Sequence, residues 1–133
     1  MKKIFEKWYK KMEDRYLFKG KEKDSGKWLK WNAVAGVPHN VSILTDTICR
    51  CTGSKDKNGN LIWENDIVKF KRSDDKEFVG EISYVEHYGA FFVIHSGCSD
   101  NQLYAFGDYE VIGNIFDNPE LLERGCKLSL IHI

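Results

Sequence analysis

The sequence predicts a β-rich α+β protein. Its centre is a small SH3-like or similar strongly bent antiparallel barrel, with an N-terminal helix and a short C-terminal helix. Three observations predict this class. Short runs of alternating or β-branched residues recur along most of the 133 residues, as in small sheets and barrels. Turn-forming residues separate these runs. Helical spacing of apolar residues at the start, and an Asn-Pro-Glu signal near the end, predict the flanking helices.

Residues 1–15 are predicted to form an amphipathic helix. Its apolar side chains recur every three or four positions, with lysines opposite. An isolated helix this short is marginal in water, so we expect the apolar face to pack on its own domain or on a second copy. A membrane surface is the disfavoured alternative. The interface candidates are Ile4, Phe5, Trp8, Tyr9 and Met12.

Extended segments begin at Tyr16. Tyr16–Lys19 and Lys27–Trp31 flank a Lys-Asp-Ser-Gly sequence that is typical of a tight turn. The pattern of residues 34–43 is mixed, and Thr47–Thr52 is a short β-rich run. The chain is therefore predicted to be extended on either side of a tight turn, with a further short β-rich run after it.

The second half of the chain begins with a turn-rich loop, in which Asn58 and Gly59 suit a type I′ turn. We expect a hairpin closed at Tyr88 and Gly89 and a helix from Asn118 to Gly125. The other predicted strands are Leu61–Trp63, Ile67–Lys71, Phe78–Glu86, Ala90–His95, Gln102–Phe106 and Glu110–Ile115. Alternation and β-branching predict a core of Ile67, Val68, Phe70, Val79, Ile82, Tyr84, Phe92, Ile94, Val111 and Ile112.

Composition favours one soluble globular domain. Apolar residues make up 42% and charged residues 30% of the chain, which disfavours disorder. No apolar run approaches the roughly 20 residues of a membrane-spanning helix. We therefore expect a cytoplasmic protein with a helical extension at residues 1–15, a β-rich domain at 16–125 and an apolar tail at 126–133.

Charge is unevenly distributed although 20 Lys and Arg balance 20 Asp and Glu. Residues 1–30 carry 11 basic and 5 acidic side chains, a net of +6, so the remainder carries −6. One interpretation is a basic segment attracted to an acidic body, within one chain or between chains. The other is a basic region offered to nucleic acid, for which the candidates are Lys19, Lys21 and Lys23.

The cysteines and histidines do not predict a metal or another cofactor. Cys49 and Cys51 are two apart, whereas paired zinc ligands are usually spaced C-x₂₋₄-C. Cys98 and Cys126 stand alone. We expect reduced thiols that act as small apolar side chains.

Two arrangements suggest catalysis only weakly. Asp56, Glu64 and Asp66 are the best carboxylate cluster, since an extended chain would put Glu64 and Asp66 on one face. The structural alternative, which we favour, is that these carboxylates bond backbone N–H groups of turns. His95 and Cys98 could be a base and a nucleophile, but nothing nearby supplies an oxyanion hole. No catalytic residue and no small-molecule substrate are predicted.

Three segments resemble the YopX-like family, small proteins of bacteriophages and prophages of Gram-positive bacteria. The first begins Y-L-F-K-G-K at Tyr16, and the second runs T-G-S-K-D-K-N-G from Thr52 and continues to Val68. The third is V-I-G-N-I-F-D-N-P-E-L-L, from Val111 to Leu122. The chain departs from the family pattern at Cys51, Ser54 and Asn65. We expect the signature positions to be structural: Gly53, Asp56, Asn58, Gly59, Trp63, Asp66, Gly113, Asn118 and Pro119.

The resemblance implies a phage or prophage origin, a compact β-rich fold and no catalytic residues to carry over. The leading hypothesis is therefore a non-enzymatic accessory protein that acts through protein–protein contacts. It would self-associate, and a phage or host protein is a further possible partner. The alternative is an accessory module that binds single-stranded DNA or RNA through basic residues and exposed aromatic rings. An acid–base or metal-dependent enzyme is the third hypothesis.

Overall fold

The computed structural model of this chain describes residues 14–71, 77–94, 101–102 and 108–122. These residues form nine strands in two antiparallel sheets. The strands are β1 Leu17–Lys21, β2 Trp28–Asn32, β3 Cys49–Lys55, β4 Leu61–Trp63, β5 Asp66–Lys71, β6 Glu77–Val85, β7 Ala90–Ile94, β8 Asn101–Gln102 and β9 Tyr109–Asn114. The chain divides into two compact units, Met1–Gly53 and Ser54–Ile133, with the division inside β3.

The predicted barrel is wrong. The first sheet has the strand order β2-β1-β3-β4 and the second the order β8-β7-β6-β5-β9. A barrel needs the first and last strands of one sheet to pair, and the strand orders of the described residues contain no such pairing. Alternation predicted most of the described strands, and the predicted strand Gln102–Phe106 lies outside the described residues apart from Gln102. Closure depends on pairing between distant segments, which alternation does not encode.

The predicted α component is also wrong for the part of the chain that the structure describes. Helical geometry there is confined to Asp14 and Arg15, a 3-10 turn at Thr45–Thr47, and one turn at Glu120–Leu122. The proposed N-terminal helix lies outside the described residues apart from its last two positions. The C-terminal segment does turn after Asn118, and its continuation past Leu122 lies outside the described residues as well.

The core of the second unit forms where β5, β6, β7 and β9 turn one face inward. Cross-strand register pairs Ile82 with Val93 and Phe70 with Tyr109. Ile62, Val93 and Tyr109 were not predicted. Six predicted core residues are only partly buried: Val79, Tyr84, Phe92, Ile94, Val111 and Ile112. The run from Ala90 to Ile94 is apolar throughout, so alternation could not choose its inward face. The buried cluster is Ile62, Val68, Phe70, Ile82, Val93 and Tyr109.

Strand β5 is covered on both faces. Ile67 and Val68 are adjacent and point to opposite sides of the sheet, yet each is 0% exposed. Both were predicted to contribute to the core. A register shift against β9 falls between them, so that Ile67 pairs with Gly113 and Val68 with Val111. The shift leaves Ile112 of β9 without a counterpart on β5, as in a β-bulge, which bends the bulged strand locally.

Candidate functional site

The β1–β2 hairpin of the first unit is closed by the predicted tight turn. The Glu22 N–H donates to the Lys27 carbonyl at 2.9 Å, and the Gly26 N–H donates to the Glu22 carbonyl at 2.9 Å. Gly26 has a φ of 69°, in the region that glycine adopts without steric cost. The Ser25 hydroxyl also accepts from the Lys27 N–H. The turn therefore fixes the register of the two strands.

Register gathers basic and aromatic side chains on one face of this hairpin. Lys19 pairs with Lys30, and Lys21 pairs with Trp28. Residues directly opposite each other, or two apart, share a face of a sheet. We call Lys19, Lys21, Trp28 and Lys30 the basic–aromatic face. Lys30 is exposed, and the other three are partly buried.

The two lysines of the Lys19–Lys30 pair lie at the closer of the two antiparallel spacings. Even-numbered β1 residues bond to β2, because Ala33 donates to the Tyr16 carbonyl and Glu22 donates to the Lys27 carbonyl. Lys19 is therefore in a non-hydrogen-bonded pair, in which side chains approach more closely. Like charges directly opposite each other destabilise a sheet.

Trp28 anchors the two lysines of β1. The Lys19 Nζ lies 4.7 Å from the centroid of the Trp28 ring, and the Lys21 Nζ lies 5.5 Å from it. Both distances are within the range of a cation–π interaction. The negative face of the indole thus holds two ammonium groups together on one side of the hairpin.

The opposite face of the hairpin forms the packing surface of the first unit. The rings of Phe18 and Trp31 stack with centroids 6.4 Å apart and planes 13° from parallel. Gly20 is buried beside them, and a Cβ there would lie 2.7 Å from the Ile43 Cγ2 atom. The packing on this side supports the basic–aromatic face on the other.

The segment that precedes β3 holds the end of β1 on the side away from β2. The Lys21 N–H donates to the Thr47 hydroxyl at 2.8 Å, and that hydroxyl donates to the Leu44 carbonyl at 2.6 Å. The Leu44 N–H in turn donates to the Lys21 carbonyl. Both backbone polar groups of Lys21 are therefore hydrogen-bonded to this segment.

The structure redistributes the predicted nucleic-acid candidates. Lys19 and Lys21 lie on the basic–aromatic face, whereas Lys23 is exposed in the turn. Sequence reasoning missed Lys30, which β2 contributes. The alternation of Trp28 and Lys30 marked them as sharing a face, but only the hairpin register places that face against Lys19 and Lys21.

Other predicted candidates fall outside the described residues. These are the interface residues Ile4, Phe5, Trp8, Tyr9 and Met12, and the pair His95 and Cys98. Cys49 and Cys51 are described, buried and not joined in a disulfide. Among the described residues, no group of three His, Cys, Asp or Glu side chains is placed to hold a metal ion.

The Asp56 carboxylate organises the turn between β3 and β4. Its Oδ1 accepts hydrogen bonds from the N–H groups of Asn58 and Asn60, each at 2.9 Å. Its Oδ2 accepts from the Val111 N–H at 3.0 Å. Burial alone would raise the pKa of Asp56, but these hydrogen bonds together outweigh it and lower the pKa below its usual value. The backbone N–H groups of Asn58, Asn60 and Val111 thus occupy both oxygens of the Asp56 carboxylate.

This turn is not of the predicted type I′. Gly59 has a φ of 84°, but Asn58 does not have a positive φ. Asp56 accepts from Gly59, and its own N–H donates to the Asn60 carbonyl. This pattern matches a three-residue hairpin loop, with a type I turn followed by a left-handed glycine.

The other carboxylates of the cluster are separated by a second turn. Asn65 has a φ of 71°, so the chain is not extended between Glu64 and Asp66 and the expected shared face does not form. Asp66 is 3% exposed, and its Oδ2 accepts from the Trp63 N–H at 2.8 Å. Trp63 itself is buried. The arrangement provides hydrogen bonds to backbone donors and does not create a carboxylate pair.

The last signature segment is a compact turn after β9. Asn114 Oδ1 accepts from the N–H groups of Phe116 and Asp117, at 3.0 and 2.9 Å. Asn118 Oδ1 accepts from the Asn114 N–H at 3.3 Å. A Cβ on Gly113 would lie 2.6 Å from that oxygen, so glycine leaves the space that Asn118 fills. Pro119 follows and is exposed.

The remaining signature glycine, Gly53, lies within β3. Its φ is 81°, and a Cβ there would lie 2.9 Å from the Arg15 Cγ atom. Both backbone conformation and space therefore favour glycine. Within the residues described, no helix is long and apolar enough to cross a membrane.

Comparisons with known proteins give a family for this chain and a solved structure that is similar to it. Residues 3–123 match the family model described as YopX protein. The crystal structure of protein EF1440 from Enterococcus faecalis is similar, with 26% sequence identity and a TM-score of 0.51. The match covers 79% of this chain and 96% of that chain. No curated protein matches the chain.

Proposed function

The chain belongs to the YopX family, and we propose that it is a non-enzymatic accessory protein that binds single-stranded nucleic acid. We place the binding surface on the basic–aromatic face. We also propose a phage or prophage origin and action inside the bacterial host. The observation that carries the proposal is the juxtaposition of Lys19, Lys21 and Lys30 around Trp28.

The charge on this face supports an anionic ligand. Lys19 and Lys30 carry like charges directly opposite each other on this face, an arrangement that repels. A phosphate placed between the two ammonium groups converts this repulsion into attraction. Residues 14–53, the described part of the first unit, carry seven Lys and Arg and four Asp and Glu, a net charge of +3, although the whole chain is neutral.

The spacing along β1 supports an extended polyanion. Lys19 and Lys21 are two positions apart on one strand, which separates their Cα atoms by roughly 6.7 Å. Neighbouring phosphates of an extended single strand are separated by a comparable distance. Lysines that contact phosphates supply affinity without sequence preference, and that affinity falls with salt.

A charge reversal at Lys30 tests the proposal. Lys30→Glu should weaken binding to a labelled single-stranded oligonucleotide about tenfold at low salt and make the salt dependence shallower. The melting temperature should hold or rise, because an opposite-charge pair then replaces the Lys19–Lys30 pair. Lys27→Glu, an equal charge change at an exposed residue outside the strand, is the matched control and should have a smaller effect.

Two results would contradict the proposal. One is binding that Lys30→Glu and Lys27→Glu weaken equally, since the face would then have no special role. The other is equal or tighter binding of the unmodified protein to polyglutamate, which would indicate an acidic protein partner.

Self-association is the second candidate, favoured by the opposite net charges of residues 1–30 and 31–133. Attraction between these regions of different copies would be screened by salt. Sedimentation across a salt series is the test: a larger species that dissociates as salt rises supports self-association, and a monomer throughout argues against it.

A further inference from the structure

We propose that Trp28 stacks on a base, and that it thereby makes the protein select single-stranded over double-stranded nucleic acid. This inference rests on the proposed function and adds a specific role for one side chain. The lysines account for attraction to phosphate, whereas stacking on Trp28 accounts for the preference for single strands.

Strand β2 carries two tryptophans, and only Trp28 lies with the lysines. Trp31 belongs to the opposite face, where its ring stacks on Phe18. Trp28 is partly buried and pairs across the hairpin with Lys21. The two indoles are three positions apart, and side chains alternate between the two faces of a strand. Trp31 therefore packs within the first unit, whereas Trp28 lies on the basic–aromatic face.

The Trp28 ring contacts two lysine ammonium groups that a ligand can displace. Lys19 and Lys21 place their ammonium groups 4.7 and 5.5 Å from the ring centroid. Phosphates of an approaching strand attract these same ammonium groups. As the lysines turn toward phosphate, a base can take their place on the ring.

This exchange favours a single strand for a geometric reason. Bases in a duplex are stacked on each other, so a duplex offers phosphates to the lysines but no base to the indole. A single strand offers both. Stacking of one base on an aromatic side chain contributes roughly tenfold to a hundredfold in affinity.

The test compares two ligands and three proteins by fluorescence anisotropy. The ligands are a labelled oligothymidylate of about 15 nucleotides, near the site size of small binding domains, and a duplex of equal length. The proteins are the unmodified chain, Trp28→Leu and Trp28→Phe. We expect the unmodified protein to prefer the single strand about tenfold or more. Trp28→Leu should lose this preference and keep its duplex affinity and salt dependence, and Trp28→Phe should keep most of the preference.

The outcomes separate this inference from the proposed function. Absence of binding to both ligands by the unmodified protein overturns both. Equal affinity for the two ligands overturns the role of Trp28 and leaves phosphate binding intact. Because this comparison uses the unmodified chain, it stands even if a variant fails to fold. A single-strand preference that persists in a folded Trp28→Leu protein also overturns the inference.

Discussion

The Asp56 Oδ2 atom accepts a hydrogen bond from the Val111 N–H at 3.0 Å, across 55 positions of sequence. The neighbouring Lys57 N–H donates to the Tyr109 carbonyl at 2.9 Å. Tyr109 and Val111 are two apart, so both groups face the same side of β9. Because β9 is an edge strand, this turn occupies backbone groups that would otherwise be open to pairing with another chain.

Replacing Asp56 should destabilise the protein. Asp56→Asn presents an amide N–H₂ to backbone donors that need an acceptor, so we expect a loss of about 2 kcal/mol in the free energy of unfolding. Chemical denaturation measures the change. Glu110→Gln is the matched control, because the Glu110 carboxylate forms partly exposed ion pairs with Lys57 and Lys69, at 3.5 and 4.0 Å. Such pairs contribute little, and equal losses in the two variants would contradict the prediction.

The stabilising effect of Asp56 should disappear in acid. Its pKa is lowered in the folded state from a usual value of 3.8, despite the opposing effect of burial. The stabilisation is therefore complete above that value and is lost as pH falls through the folded pKa. Melting curves at successive pH values should show the unmodified protein and Asp56→Asn converging below about pH 4. Parallel curves down to the lowest pH would contradict the assignment.

Glu81 should show the opposite pH dependence. It lies between Ile67 and Ile94 on the face of the second sheet, and desolvation raises its pKa above the usual 4.5. A raised carboxyl pKa means that stability falls as pH rises from the unfolded to the folded value. Glu81→Gln should therefore raise the melting temperature at neutral pH, with a gain that shrinks in acid. A variant that melts lower than the unmodified protein at neutral pH would count against this.

Gly113 should tolerate a methyl group poorly because of space. Its added Cβ would lie 2.6 Å from the Asn118 Oδ1 and 2.9 Å from the Asn118 Cβ. Gly113→Ala should cost roughly 1–3 kcal/mol, as overpacking generally does. Asn118→Gly in the same chain should recover part of that loss, which a double-mutant cycle measures as a coupling energy. Strict additivity would mean that the two residues do not compete for space.

At Gly59 we expect backbone conformation, and not lack of space, to make a substitution unfavourable. Its φ is 84°, and a Cβ there would meet nothing within 4 Å. Gly59→Ala should cost about 1 kcal/mol, because the left-handed conformation is unfavourable for alanine. Gly59→Asn should cost less, since asparagine adopts this conformation more readily. Equal losses in the two variants, measured by denaturation, would point to another cause.

Patterns among residues close together in the sequence predicted strands, turns and the family of this protein. The alternation from Phe78 to Glu86 and the turn at Tyr88 and Gly89 predicted a hairpin, which the structure confirms as β6 and β7. The three signature segments predicted the family, and the match over residues 3–123 confirms it. These features depend on residues close in sequence, whose turn chemistry and side-chain period are directly visible.

Only the tertiary structure decided features that join distant segments. Two sheets formed where one barrel was predicted, since strand order is set by pairings across many residues. Val93 faces the core in place of Phe92 because β7 takes its register from Ile82. Likewise, alternation within β2 put Trp28 and Lys30 on one face, but only pairing with β1 set them beside Lys19 and Lys21. A strand's sequence determines which residues share its face, and its neighbours determine what that face meets.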